Sequence, residues 1–381
     1  MARSESESSG SRSNRDMLSS LPDSLLHHIM SFMFAQEAVQ LCVLSKRWKT
    51  LWTTLPFLNF EFNEFVNNQL VAFTEFVSTV ILLREATSQL HTFTLHCVSY
   101  SVPADVFGAA IRPWIRDTIH KPEIINLPSL KQLYLENQEF DQDFMSKIFC
   151  GCPVLEKLYV RSRFLEFSKI TSHSLKHLII EALGHLESIE LSEMIINCPN
   201  LLSFHFATCS CPLKKGTMLN MPSLHEAHIE FGLCCDELDV TKSNILSGLT
   251  NVHHLRLGGD LLQACLKAEI ANCRTFSKLT CLSVRVCFNC CQFDLLSSLL
   301  EHCPNLKKLL LGPPQNSCGC EVWSKQIKVP LFKCKQLETV KVNFDVKDRT
   351  FHRMIKCLQE AVAELPNCRI IKARACNPYT D

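Results

Sequence analysis

Ten copies of one short pattern, apolar residues at the first, fourth and sixth positions, run along this 381-residue chain and limit the folds open to it. The series opens with Leu90-x-x-Phe93-x-Leu95, Leu130-x-x-Leu133-x-Leu135, Leu155-x-x-Leu158-x-Val160, Leu175-x-x-Leu178-x-Ile180 and Leu201-x-x-Phe204-x-Phe206. It continues through Leu224-x-x-Ala227-x-Ile229, Val252-x-x-Leu255-x-Leu257, Leu279-x-x-Leu282-x-Val284, Leu306-x-x-Leu309-x-Leu311 and Leu337-x-x-Val340-x-Val342. Residues two apart on a strand share a face, so both apolar residues of each L-x-L point inward and the one between points out. Each copy buries about three apolar side chains at roughly 1.5–3 kcal/mol apiece, too little to offset the ordering of an isolated unit. Most successive copies stand 20 to 31 residues apart, room for one strand and one return leg. The expectation is a stacked α/β array with a shared core.

Helical periodicity over Phe140 to Cys150, Leu186 to Asn197 and Phe293 to Cys303 predicts return legs that are helices on the convex side. Phe65, Val66, Phe73, Phe76, Val77, Val80 and Leu83 predict a capping helix within Asn63 to Glu85, and a strand-like piece, Phe57 to Phe62, precedes it. Asp348 to Leu365 reads as a closing helix and Cys368 to Ala375 as a last strand. One interval, from Phe93 to Leu133, is forty residues long.

The N-terminal segment is built differently. Pro22 and Asp23 suit the start of a helix, and Leu25, Leu26, Ile29, Met30 and Met33 follow at helical spacing. Ala38, Val39, Leu41, Cys42, Val43 and Leu44 form a second apolar set; Ser45 reads as the cap of a third helix bearing Trp48, Leu51 and Trp52 on one stripe. A unit this small cannot bury all that surface by itself, so part of the stripe is expected to face another protein. Taken singly, Trp48 and Leu51 suit a core as well as an interface.

Composition narrows the function. Thirty-nine basic residues balance thirty-eight acidic ones, which removes the general field that draws proteins to nucleic acid. Met1 to Arg15 is Ser, Glu and Arg without an apolar run, so a solvated tail is expected rather than an export signal, and no stretch reaches the ~18 apolar residues of a membrane span. With no Asn-x-Ser/Thr sequon either, the 22 cysteines read as reduced thiols. Cys152, Cys198, Cys303 and Cys334 each precede a template Leu by three residues, a place for a small buried hydrophobe. Cys287-x-x-Cys290-Cys291 and Cys318-x-Cys320 could supply thiolates to zinc, but at loose spacing, and packing or loop roles are favoured. Phosphate-loop, dinucleotide-loop, zinc-protease and serine-hydrolase motifs are missing, and only eleven glycines are present, so no enzyme, cofactor or metal is expected.

Residues Leu21 to about Leu58 resemble the F-box family, specifically plant F-box proteins carrying Val43-Leu44-Ser45-Lys46-Arg47-Trp48 and the opening Leu21-Pro22. Leu41 stands where relatives often have Thr or Ser. With the repeats, the chain resembles plant F-box/leucine-rich-repeat proteins, and its end partly resembles their FBD-type tail. Against that pattern, His120-Lys121 runs almost directly into Leu127-Pro128-Ser129-Leu130, so a repeat near residue 120 is expected to be shortened or lost. The resemblance implies a three-helix F-box followed by a curved parallel sheet with convex helices. The expected layout is a tail (1–16), F-box (17–58), linking or capping helix (59–86), repeat array (87–345) and C-terminal cap (346–381).

The resemblance further implies that Leu21, Pro22, Leu25, Ile29, Val43, Leu44 and Trp48 form or support contact with a Skp-type linker. That linker attaches to a cullin, making the chain an intracellular substrate adaptor, in cytoplasm or nucleus, for ubiquitination. Target contacts are expected from outward strand residues, among them Tyr134, Tyr159, Arg161, His228, Arg256 and Arg285, where solenoids bind partners. Nucleic acid and membrane are not expected as partners. A scaffold that delivers no target, and a ligand-dependent receptor using the same face, are the alternatives.

Overall fold

The computed structural model describes residues 20–62, 70–85, 88–96, 127–136, 140–162, 165–182, 194–208, 218–231, 245–259, 270, 273–285, 292–312, 332–343, 351–365 and 367–373. It begins with three short helices, α1 (Asp23–Met30), α2 (Ala35–Gln40) and α3 (Lys46–Leu51), with 3-10 turns at Leu41–Val43 and Trp52–Thr54. The Glu37 carboxylate accepts the Phe34 N–H at 2.9 Å, closing the first turn of α2. Ser45 occupies the N-cap of α3 as expected, yet its hydroxyl makes no capping bond. Instead Arg47 in the first turn of α3 donates to the Leu21 carbonyl at 2.6 Å and to the Asp23 carboxylate, tying the start of α3 to the start of α1.

The strands are β1 (Phe57–Glu61), β2 (Thr92–His96), β3 (Gln132–Glu136), β4 (Lys157–Ser162), β5 (Lys169–Thr171), β6 (His177–Ala182), β7 (Ile195–Asn197) and β8 (Ser203–Thr208). They continue as β9 (Met218–Asn220), β10 (Glu226–Phe231), β11 (His254–Gly259), β12 (Cys281–Arg285), β13 (Lys308–Gly312), β14 (Thr339–Asn343) and β15 (Arg369–Ala373). Twelve of them form one parallel sheet in the order β1-β2-β3-β4-β6-β8-β10-β11-β12-β13-β14-β15. Template positions stack in register: Leu133 is opposite Leu158, which is opposite Leu178, and the row continues through Phe204, Ala227, Leu255, Leu282, Leu309 and Val340. All ten template copies lie on this sheet. Leu55, Leu58 and Phe60 complete the same pattern at β1 and are buried, so the sheet begins across the boundary expected between the F-box (17–58) and the linking segment (59–86). The sheet likewise ends on β15, inside the expected cap.

The turns before the strands explain the cysteines. The N–H groups of Leu155, Leu201, Leu306 and Leu337 donate to the carbonyls of Cys152, Cys198, Cys303 and Cys334 at 3.0–3.3 Å. Those thiols are buried, and burial pushes them up, Cys152 to about 12 and Cys198 and Cys334 to about 11. They are packing groups that stay protonated. Cys303 and Cys334 also donate to the carbonyls of Leu299 and Leu300 at 3.2 and 3.0 Å. The cysteines 287, 290, 291, 318 and 320 lie outside the described residues.

Helices α4 (Leu70–Leu83), α5 (Gln142–Gly151), α6 (Gln292–Glu301) and α7 (Phe351–Ala361) occupy expected helical segments. Phe73, Val77 and Val80 of α4 are buried beside β1, with Phe62 and Phe73 edge to face at 5.3 Å. Asp141 caps α5 by accepting the Phe144 N–H at 2.8 Å. One expected return helix is corrected: where Leu186 to Asn197 is described, from Met194 on, it carries strand β7, which pairs with β5 and β9 in a separate three-stranded parallel sheet. The cause is local. Ile195 and Ile196 are β-branched, and they pair in parallel register with Lys169 and Ile170 on one side and with Met218 and Leu219 on the other. The expected repeat loss near residue 120 lies outside the described residues; on either side of them β2 pairs directly with β3.

Buried side chains from Leu26 to Val362 form one continuous core. Trp48, Leu51, Trp52 and Leu55 of the hook run into Leu58 and Phe60 of β1, and Arg84 donates to the Leu55 carbonyl at 2.6 Å across the junction. The hook is therefore seated on the β1 end of the array.

Candidate interaction surfaces

Two surfaces stand apart from the rest of the molecule. The first is on the hook, where Leu25, Ile29, Phe32, Val43 and Leu44 are exposed at 49%, 40%, 80%, 84% and 58%. On α1 the two faces separate cleanly: Leu26 and Met30 are fully buried, while Leu25 and Ile29, one residue before each, face solvent one helical turn apart. Phe32 continues that face just after the helix, its ring edge-on to His28 at 5.1 Å. Val43 and Leu44 sit on the turn before α3, and the Arg47 bonds to Leu21 and Asp23 draw this turn toward the start of α1. Pro22 is exposed and Leu21 half-buried at that point. Trp48, expected to form or support the contact, is only 3% exposed and lies in the core, so it can act only by holding the surface from beneath. Phe32 belongs to the exposed set although it was not among the expected contact residues. Exposed aliphatic and aromatic groups are thus concentrated on one small unit, which makes it the candidate contact surface.

The second surface is the face of the large sheet opposite α5, α6 and the small sheet. All six expected target contacts lie here, at positions between or just after the inward leucines. Tyr134 and Tyr159 are register partners with ring centroids 6.2 Å apart, and the Lys157 ammonium lies 5.2 Å from the Tyr134 ring. The next row is a charge ladder: His96 Nδ1 stands 3.6 Å from Glu61 and 2.8 Å from Glu136, and Arg161 donates to Glu136 at 2.6 Å. The Arg161 Nε then lies 3.4 Å from Glu181, an ion pair without hydrogen-bond geometry, while Tyr159 Oη donates to Glu181 at 3.1 Å. The hydrogen bond from His96 and that from Arg161 hold the Glu136 carboxyl below its usual range although it is almost wholly buried. The same Glu136 bond raises His96. Arg161 is thus committed to its neighbours.

Farther along, His205 and His228 stack with centroids 4.2 Å apart, and His228 Nε2 stands 3.3 Å from Glu230. Burial first, then the neighbouring His228, pushes His205 down to about 4. Arg285 reaches past β11 to Glu230, 3.2 Å away, lying over Gly258; a Cβ there would stand 3.7 Å from Arg285 Cδ. Arg256 is exposed on β11. Glu61, His96, Glu181, Lys308 and Arg369 were not singled out beforehand as surface residues, though reading the positions beside each inward pair in every strand would have found them. Among the described residues no group of His, Cys, Asp and Glu is placed to hold a metal ion, and no helix is long and apolar enough to cross a membrane.

Comparison with known proteins falls on both parts. The F-box domain family matches residues 18–60. An F-box/FBD/LRR-repeat protein of Arabidopsis thaliana is 27% identical, with 87% of this chain and 86% of the relative covered. A second Arabidopsis protein so described is 28% identical over 78% of this chain and 74% of its own length. An Arabidopsis F-box/LRR-repeat protein is 25% identical, covering 84% of this chain and 99% of that protein. The exposed hook lies within the stretch that matches the F-box domain, and over most of its length the chain is similar to plant F-box/leucine-rich-repeat proteins.

Proposed function

We propose that the chain is the substrate-recognition subunit of a Skp–cullin–F-box ubiquitin ligase. The observation that carries this reading is the exposed set Leu25, Ile29, Phe32, Val43 and Leu44 within the F-box domain. By this reading the hook buries those side chains on a Skp-type linker, supported by Leu21 and Pro22 at the rim and Trp48 beneath, and the linker carries a cullin. The open face of the sheet holds a target protein. The chain does no chemistry of its own; it raises the concentration of the target beside the enzyme that transfers ubiquitin. The continuous core suits that task, because a target held on the array keeps a fixed geometry to the hook.

Affinity capture from plant cells, with the wild-type chain and with Val43→Asp/Leu44→Asp, tests the reading. Wild type is expected to recover linker and cullin, and the variant neither, while both stay folded. Recovery of the linker without cullin would favour a scaffold, and equal recovery by both forms would refute the assignment of the surface.

A further inference from the structure

Charge on the open face of the sheet is divided unevenly. Over β1, β2, β3, β4 and β6, the acids Glu61, Glu136 and Glu181 are met by His96 and Arg161 in one ladder. Over β11 to β15 the described open-face residues include Arg256, Arg285, Lys308, Lys341 and Arg369 and not one Asp or Glu. Arg285 is satisfied by Glu230 of β10, but Arg256, Lys308, Lys341 and Arg369 have no ion pair with any described residue. In a chain whose 39 basic and 38 acidic residues nearly cancel, this is local segregation of charge rather than a general excess. A solvated face would tolerate isolated cations, yet a run of them with no acid interspersed leaves a repulsion that an anionic partner relieves.

The register gives the spacing. Lys308 and Arg369 both flank Thr339, two strands apart in one row. Arg256 and Lys341 stand three strands apart in the next row, separated by Ser283 and Leu310. At about 4.8 Å per strand these separations are roughly 10 and 14 Å, which an extended peptide at ~3.3 Å per residue spans in about three and four residues. The Arg285–Glu230 pair lies over Gly258 in the third row, and Ile371, 47% exposed beside Lys341 in the second row, adds an apolar contact at the β15 end. Narrow spacing between the cations suits a polypeptide, and the chain lacks the wide basic field by which nucleic acid is gathered.

Resting on the ligase reading for its biological sense, we infer that β11 to β15 form a docking surface for an acidic segment of the target, an extended peptide rich in Asp or Glu. Carboxylates three or four residues apart meet Lys308 and Arg369 in one row or Arg256 and Lys341 in the other, the arginines able to bind them in bidentate fashion. The tyrosine-rich half of the face then contacts the remainder of the target.

The test uses the full chain co-purified with its Skp-type linker and follows fluorescence anisotropy of four probes. These are a short Glu/Ser peptide, its Gln/Ser counterpart, a phosphoserine peptide and a single-stranded RNA of similar length. The Glu peptide is expected to bind, to weaken with added salt, and to lose roughly tenfold in affinity on the Gln exchange. Lys308→Glu/Lys341→Glu should weaken it by about tenfold or more, while Lys308→Arg/Lys341→Arg, which keeps charge and fold, should bind like wild type. Equal binding of the Glu and Gln peptides, no loss in the charge-reversed form, or a preference for phosphopeptide or RNA over the Glu peptide would overturn the inference. Linker retention, read by gel filtration of the same samples, reports separately on the ligase reading: its loss in wild type would refute that reading, while the peptide series would still decide the surface.

Discussion

Leu25 and Leu26 are neighbours on one short helix, yet one is half exposed and the other fully buried, whereas Leu309 and Leu311 of β13 are both sealed. In the array the inward residues of the template are buried between neighbouring strands, so apolar content and burial go together. Among the described residues the hook meets the array at its β1 end and at the segment following α4, and only one side of α1, that of Leu26 and Met30, is buried. The same type of residue therefore supports a fold in one region and offers a contact in the other. Hydrophobicity alone does not mark an interface; hydrophobicity without a partner does.

The largest expected effect that sharpens this contrast comes from placing a charge on each side of α1. Leu26→Asp buries an unpaired carboxylate and should cost about 3 kcal/mol or more, lowering the melting temperature of the chain, whereas Leu25→Asp should leave it nearly unchanged. Thermal scans of the two variants check this, and equal destabilisation would erase the distinction between the two faces. In the array, Leu309→Ala should cost about 2–5 kcal/mol by chemical denaturation, because Leu309 is fully enclosed between β12 and β14.

A smaller effect is expected at Gly248, on the short 3-10 turn (Leu246–Leu249) facing β9. A Cβ there would stand 2.5 Å from the Leu219 Cβ, a fixed atom rather than the tip of a flexible chain. Gly248→Ala should therefore destabilise by roughly 1–3 kcal/mol in the same assay. A neutral result would mean that β9 and this turn are not packed together.

The smallest effect concerns pH. His205 is held neutral in the folded chain, its value moved from 6.5 to about 4. As pH falls from about 6.5 toward 4 the unfolded chain takes up a proton that the folded chain refuses, so stability should decline across that window and level off below it. His205→Gln should flatten that part of the stability profile measured by denaturant titration; an unchanged slope would show that His205 is not the source.

The repeat copies were legible because burial at a period of two leaves a pattern that survives in each strand, and the twelve-stranded sheet follows it. The copy on β1 was read only as an alternating piece, since Phe57 and Phe62 give that stretch further apolar residues. The convex legs were less legible: short runs such as Ile195-Ile196 have no length over which helical and strand periods diverge. On the hook, apolar spacing identified the helices but not which of Leu25, Leu26, Ile29 and Met30 would remain uncovered, because that depends on where β1 sits. The charge ladder was hidden for the same reason. Glu136 lies forty residues from His96, and Arg285 meets Glu230 across an intervening strand, so only stacking brings them together.

The central claim, that the uncovered side chains of the hook are reserved for a partner while the core beneath them is complete, is tested most directly by titrating purified Skp-type linker into the full chain. Leu44→Asp should weaken binding by roughly 30-fold or more with the melting temperature unchanged. Binding as tight as wild type would contradict the account.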